Sequence, residues 1–268
     1  PQTFTITVGP APSMNQPANI TVCAGAIVTA NFTGGGVGAI YNWINDNPNI
    51  GLADFGTGNL NFISANVTTQ EVATITVAAQ QGACQGPART FTITVNPRPT
   101  VDNPGDMVVC AGDDLVIVFT GTGNPAYNWT NSNTAIGLGA SGNGDIIFTA
   151  SNVVIDQTGT ITITPAENGC TGPAETFDIT VTPLPAVNQP ANITVCASAP
   201  VTVNFTGTTG ASFSWTNNNI AIGLGASGNG NISFNAAAVL VQQVATITVT
   251  PEAGLCPGTP RTFTITVN

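Results

Sequence analysis

Three tryptophans, Trp43, Trp129 and Trp215, stand about 86 residues apart, and the rest of the sequence repeats in step with them. Cys23, Cys110 and Cys196 precede them, Cys84, Cys170 and Cys256 follow, and Phe91, Phe177 and Phe263 mark a closing segment. A period of this size matches one small sandwich domain and is far longer than a solenoid repeat. The 268 residues therefore read as three units, 10–97, 98–183 and 184–268. Alternating prolines mark the seams, at Asn96-Pro97-Arg98-Pro99 and Thr182-Pro183-Leu184-Pro185, with Gly9-Pro10-Ala11-Pro12 before the first unit. Such runs make short, stiff, extended connectors. Residues 1–9 contain QTFTITV, which matches the unit endings at 89–95 and 261–267, so they read as the closing strand of a preceding repeat. Two explanations are open: the array continues upstream, or this strand complements the sheet edge of another copy.

Within a unit, the pattern is that of short strands. The first gives Ile20–Cys23, Ile27–Thr33, Ala39–Ile44, Leu60–Ile63, Ala73–Ala78 and Thr90–Val95, with ATITV and TFTITV alternating apolar residues against threonine. Period two buries one face and wets the other. Gly- and Asn-rich stretches connect the runs, and Asn143-Gly144 and Asn229-Gly230 are tight-turn dipeptides. No segment sustains a helical period. Six or seven short strands per unit predict an all-β chain of tandem Greek-key, immunoglobulin-like sandwiches. The tryptophans lie mid-strand, and Trp43, Trp129 and Trp215 are expected to anchor the three cores.

Charge narrows the function classes. Only 6% of residues are charged, there is no histidine, and the only basic residues are Arg89, Arg98 and Arg261 against a net charge of −10. A chain without a basic patch is a poor partner for nucleic acid or an anionic membrane. No apolar run approaches the roughly 18–20 residues that span a bilayer; Leu115–Phe119 and Ala236–Val241 are strand-sized. No signal peptide is visible, and the first residue is Pro1, so the sequence is expected to belong to a longer polypeptide.

Six cysteines allow fifteen pairings. Joining Cys84 to Cys110 would cross a whole strand and a proline linker, beyond disulfide reach. Pairing inside each unit, Cys23–Cys84, Cys110–Cys170 and Cys196–Cys256, is therefore expected, each bridge contributing about 4 kcal/mol in the chain-entropy model. One tension attends this pairing. In a plain seven-strand order the first turn and the last hairpin lie at opposite ends of the sandwich, and Cys23 and Cys84 sit at those two places. Disulfides place the protein in an oxidising compartment, and two thiolates per unit without histidine cannot complete a zinc site.

The remaining motifs carry little chemistry. Residues 137–142 and 223–228 spell GxGxxG, but no strand–helix context surrounds them, so they read as turns. Without histidine no Ser-His-Asp arrangement can form. The acidic residues number nine, three and one across the second, first and third units, so no acid pair repeats, and the chain reads as non-enzymatic without a cofactor. Asp102, Asp106, Asp113 and Asp114 are weak candidates for one calcium site at the start of the second unit. The sequons, such as Asn128-Trp-Thr, are about as frequent as composition predicts and leave glycosylation open.

The Cys-Ala-Gly start, the Trp-Thr, the Ile-Gly-Leu-Gly-Ala-Ser-Gly loop and the Gly-Cys-Thr-Gly-Pro hairpin together resemble the PKD-like repeats of very large Bacteroidota surface proteins. The resemblance covers the chain three times over and departs from the pattern at Asp54 and Phe55. It implies an Ig-like sandwich, type IX secretion, an extracellular place on the bacterial cell surface, and a role as stalk or filament of an adhesin, including gliding-motility adhesins of the SprB type. Expected partners are neighbouring repeats of the same chain, with lateral or strand-addition self-association open. The alternative is adhesive recognition of a surface glycan or protein through the Asn/Gly-rich loops. The near-identity of loops 131–144 and 217–230 suits a scaffold better than diverse recognition.

Overall fold

The computed structural model describes residues 2–5 and 8–268, all of it strand, turn and loop apart from three single-turn 3-10 helices among these residues. In the first repeat the strands are β1 (Ile20–Cys23), β2 (Ile27–Ala30), β3 (Ile40–Asn45), β4 (Phe55–Thr57), β5 (Leu60–Ile63), β6 (Glu71–Gln81), β7 (Cys84–Gln85) and β8 (Arg89–Asn96). They form one sheet in the order β1-β8-β6-β3-β4, with β7 on the far end of β6, facing a two-stranded sheet of β2 and β5. β1 runs parallel to β8, Ile20 opposite Ile93 and Cys23 opposite Asn96. The third repeat repeats this order, so the predicted immunoglobulin-like Greek-key sandwich is the observed one. Among the described residues there are three such sheet pairs.

The sandwich forms because threonine and apolar residues alternate along β6 and β8. Ala73, Ile75, Val77 and Ala79 point inward from β6, and Phe91, Ile93 and Val95 from β8. Their threonine neighbours, Thr74, Thr76, Thr92 and Thr94, take the other face and are half-buried. Each fully buried Ile or Phe contributes about 1.5–3 kcal/mol from area removed from water. Trp43 lies in this core opposite Val77 and Gly56, and Trp129 and Trp215 are equally buried. A Cβ on Gly56 would lie 2.2 Å from the Trp43 ring, and Gly142 and Gly228 stand the same way to Trp129 and Trp215. The glycine of β4 thus makes room for the indole and the indole covers the bare backbone. This is why a glycine stands in every copy of the short fourth strand, an element that strand periodicity alone does not reveal.

By contact, the chain divides into two compact units. The first comprises 1–102, 119–128 and 163–175; the second comprises 103–118, 129–162 and 176–268. This division does not follow the sequence repeat. The hairpin at 163–175 of the middle repeat packs with the first repeat, and the first turn of the middle repeat packs with the third. The leading segment adds no described strand. Of the closing strand expected within 1–9, Pro1, Ile6 and Thr7 lie outside the described residues, and Phe4 and Val8 are exposed.

Candidate functional site at the repeat junctions

The sheet order places two chemically active turns at opposite ends of a repeat. At one end β1 closes beside the end of β8. There the Cys-Ala-Gly turn is fixed by Ala24 N–H donating to Asn96 O at 2.8 Å and by Gly25 in the left-handed region (φ 75). The Ala111 N–H to Thr182 O bond and Gly112 (φ 88) repeat the arrangement. At the other end, the long strand β6 and its partner β7 make a hairpin that carries Cys84 opposite Gln81. In the middle repeat Asn168 and Gly169 both take positive φ, as a tight two-residue hairpin requires, and Cys170 follows. The third copy puts Cys256 opposite Ala253.

The expected pairing within each repeat is therefore corrected. Seven residue steps of β8 separate the Cys23 end of the first sheet from the Arg89 end, and Cys84 lies further out. At about 3.3 Å per step the two cysteines are more than about 20 Å apart, while a disulfide needs Cα atoms within roughly 7 Å. The structure instead joins Cys23 to Cys170 and Cys110 to Cys256, with Cα–Cα distances of 5.5 and 5.4 Å and sequence separations of 147 and 146. Cys84 and Cys196 are free and exposed. Neither Cys23–Cys84, Cys110–Cys170 nor Cys196–Cys256 forms. Each bond ties the first turn of one repeat to the last hairpin of the next. The opposite-end placement that strained the expected pairing is its physical cause.

Other groups hold the first junction shut. Arg98, between the two linker prolines, donates from Nε to Ala24 O at 3.0 Å and from Nη1 to Thr171 O at 2.8 Å. It thereby caps a carbonyl on each side of the joint. Asn96 Nδ2 donates to Asn168 O at 3.2 Å. The hairpin glycine that follows each second cysteine sits against the linker backbone: a Cβ on Gly172 would lie 1.8 Å from Pro99 O, and one on Gly258 would lie 1.8 Å from Pro185 O. Gly86 stands in the same relation to Pro12 O, at 1.7 Å. These glycines have no positive φ; close backbone approach alone excludes a side chain there. At the second junction Leu184 takes the place of Arg98.

The Asn/Gly-rich loops are occupied with themselves. Asn45, Asn131 and Asn217 are buried. Asn45 Nδ2 donates to Leu52 O at 2.9 Å and its Oδ1 accepts from Asn47 N–H at 3.1 Å. Asn131 does the same with Leu138 O and Asn133, and Asn217 with Leu224 O and Asn219. Asn47, Asn133 and Asn219 then cap the 3-10 turns, and Gly51, Gly137 and Gly223 end them with φ near 100°. The GxGxxG runs are this turn, as read from the sequence.

The four acidic residues weighed for calcium do not converge. Asp102 Oδ2 accepts from Thr120 Oγ1 at 2.7 Å, Asp106 Oδ1 from Asp178 N–H at 2.8 Å, and Asp114 from Thr149 Oγ1. Asp113 lies in the turn that closes on Cys110 O. Among the described residues no three acidic, histidine or cysteine side chains gather in a metal-binding group. Sequence reasoning missed Arg98 and the hairpin glycines as joint residues. The glycine two places after every second cysteine was the available signal.

No family profile and no curated protein sequence matches this chain. In fold it is similar to a three-domain I-band fragment of titin and to the E-to-A mutated variant of that fragment. Each has a TM-score of 0.52 over 97% of this chain and 100% of the fragment, at 12% and 13% identity. At such identities the likeness shows the fold, tandem immunoglobulin-like domains, and nothing beyond it.

Proposed function

We propose that this chain is a structural segment of a secreted, non-catalytic surface array, in which the units 10–97, 98–183 and 184–268 are sandwiches braced to their neighbours. The reading extends to the stalk or filament of a large adhesin on a bacterial surface, which the PKD-like resemblance supports. The single observation that carries it is the repetition of one covalent joint, Cys23–Cys170 and Cys110–Cys256. A flexible string of modules has no use for bonds that cross its linkers; a load-bearing strut does, because the bond stops the linker from bending and shields it from extension. Disulfides also persist in oxidising surroundings outside the cytosol. The buried asparagines support scaffolding over recognition, since they spend the loop polar groups internally.

Trypsin tests the joint directly. With free thiols alkylated and the chain denatured without reductant, cleavage follows Arg89 and Arg261 while Pro99 protects Arg98. The joint keeps fragment 1–89 attached to fragment 90–261 through Cys23–Cys170 until reductant is added. Release of 1–89 without reductant overturns the reading, because it requires that Cys23 is not bonded to Cys170.

A further inference from the structure

Two cysteines stand outside the observed bonds, and each occupies a position whose counterparts are bonded. Cys84 sits opposite Gln81 in its hairpin as Cys170 sits opposite Glu167 and Cys256 opposite Ala253. Cys196 follows Val195, the partner of Val267, and the next residue, Ala197, donates its N–H to Asn268 O at 2.9 Å. Ala24 and Ala111 do the same beside Cys23 and Cys110. The bonded hairpin cysteines are 1% and 2% exposed, whereas Cys84, on the same hairpin, is exposed. Among the first-turn cysteines, Cys110 is buried and Cys23 half-buried in their joints, whereas Cys196 is exposed. In each case the neighbouring repeat supplies the cover that the free position lacks.

We infer that Cys84 and Cys196 are complementary joint cysteines, each built to form a disulfide with its opposite number on a further copy of this repeat. The occupant of the Cys196 face is the hairpin of a following copy, and that of the Cys84 face is the first turn of a preceding copy. The inference rests on the proposed bracing role and extends it: the same bond propagates head to tail, since both observed joints pair a first turn with a hairpin and neither pairs like with like. The chemistry is thiol–disulfide exchange with a small-molecule disulfide of the glutathione class. One cysteine thiolate attacks the small disulfide, forming a mixed disulfide and expelling one thiolate. The partner cysteine then attacks the protein sulfur of that mixed disulfide and expels the second. Two protein thiols are oxidised to one bond, and one oxidised glutathione is reduced to two thiols.

The test uses two variants of the whole chain, C84S and C196S, in a glutathione redox buffer. C84S keeps Cys196 as its only free joint cysteine, and C196S keeps Cys84. An equimolar mixture is expected to give disulfide dimers at least tenfold more abundant than either variant alone, with Cys84–Cys196 as the mapped link; the unaltered chain gives a ladder of longer polymers. Self-dimers as abundant as mixed dimers overturn the inference, since random collision treats all thiols alike. A second chain, with a copy of residues 97–183 appended after Asn268, removes the need for two molecules to meet. There Cys196 is expected to resist alkylation and to map to the hairpin cysteine of the appended unit; a freely alkylated Cys196 overturns the inference. Mapping Cys23–Cys170 and Cys110–Cys256 in the same samples separates the two readings. Loss of those bonds refutes the bracing role itself, whereas intact internal joints with randomly paired end thiols refute only the propagation.

Discussion

Replacing Cys84 and Cys170 one at a time by serine separates the observed pairing from the one that unit-by-unit folding suggests. Cys170 closes a loop with a sequence separation of 147. In the chain-entropy model a loop of that length restricts the unfolded ensemble by about 5 kcal/mol, and a serine at 170 forfeits it. For a cooperative unit of roughly 150–250 residues, each kcal/mol moves Tm by about 2–4 °C, so C170S is expected to melt about 10–20 °C lower. Cys84 is exposed and free, and an exposed substitution without a partner stays within about 0.5 kcal/mol. Calorimetry of the two variants without reductant, beside the unaltered chain, gives the comparison. Under pairing inside each repeat, C84S would break a bridge worth about 4 kcal/mol and melt much lower. A C84S transition depressed as far as that of C170S refutes the cross-repeat joint, as does a C170S transition that does not move.

Three further outcomes are expected. Gly172→Ala drives a Cβ into Pro99 O and against Pro165, so it should cost about 1–3 kcal/mol, seen as an earlier midpoint in urea; Gly144→Ala, where nothing lies within 4 Å but φ is 70°, should cost only about 1–2 kcal/mol. Asn217→Ala removes the donor to Leu224 O and the acceptor for Asn219 N–H in a buried setting, which should lower stability by about 1–3 kcal/mol; an unchanged denaturation midpoint would show that the loop holds itself without the asparagine. Ser198 stands at φ 66, where the other two repeats have Gly25 and Gly112. Ser198→Gly is therefore expected to raise stability by up to about 1 kcal/mol, measured by thermal denaturation.

Much of the fold was legible because its causes are local. Threonine alternating with Ile, Val and Phe along 73–78 and 90–95 forces extended strands with one dry face, and the tryptophan spacing fixes the period. Observed strand ends differ by a few residues: β6 runs from Glu71 to Gln81, longer than the apolar run that announced it. Its extension past Ala78 matters, since those residues build the hairpin that carries Cys84. Strand β4 escaped notice because Phe-Gly-Thr and Ser-Gly-Asn have no alternating apolar pattern. Its glycine is explained only by the tryptophan ring lying over it. Asn45 and its counterparts look like surface residues in a polar loop and prove to be buried pins, a role set by the carbonyls that the folded loop turns toward them.

What the amino-acid order determined by itself was the kind of module: two-period strands, glycine and asparagine turns, one indole per core, almost no charge, and cysteines at two fixed places in each copy. Which cysteine finds which was decided by the tertiary structure. Spacing along a chain says how far apart two thiols are in residues, whereas a disulfide depends on distance in space. The parallel pairing of β1 with β8 sends the first turn to the exit end of the sheet, and the extended β6 sends the last hairpin to the entry end. Two thiols of one repeat are then held a strand's length apart, and both disulfides that form, Cys23–Cys170 and Cys110–Cys256, reach into the neighbouring repeat.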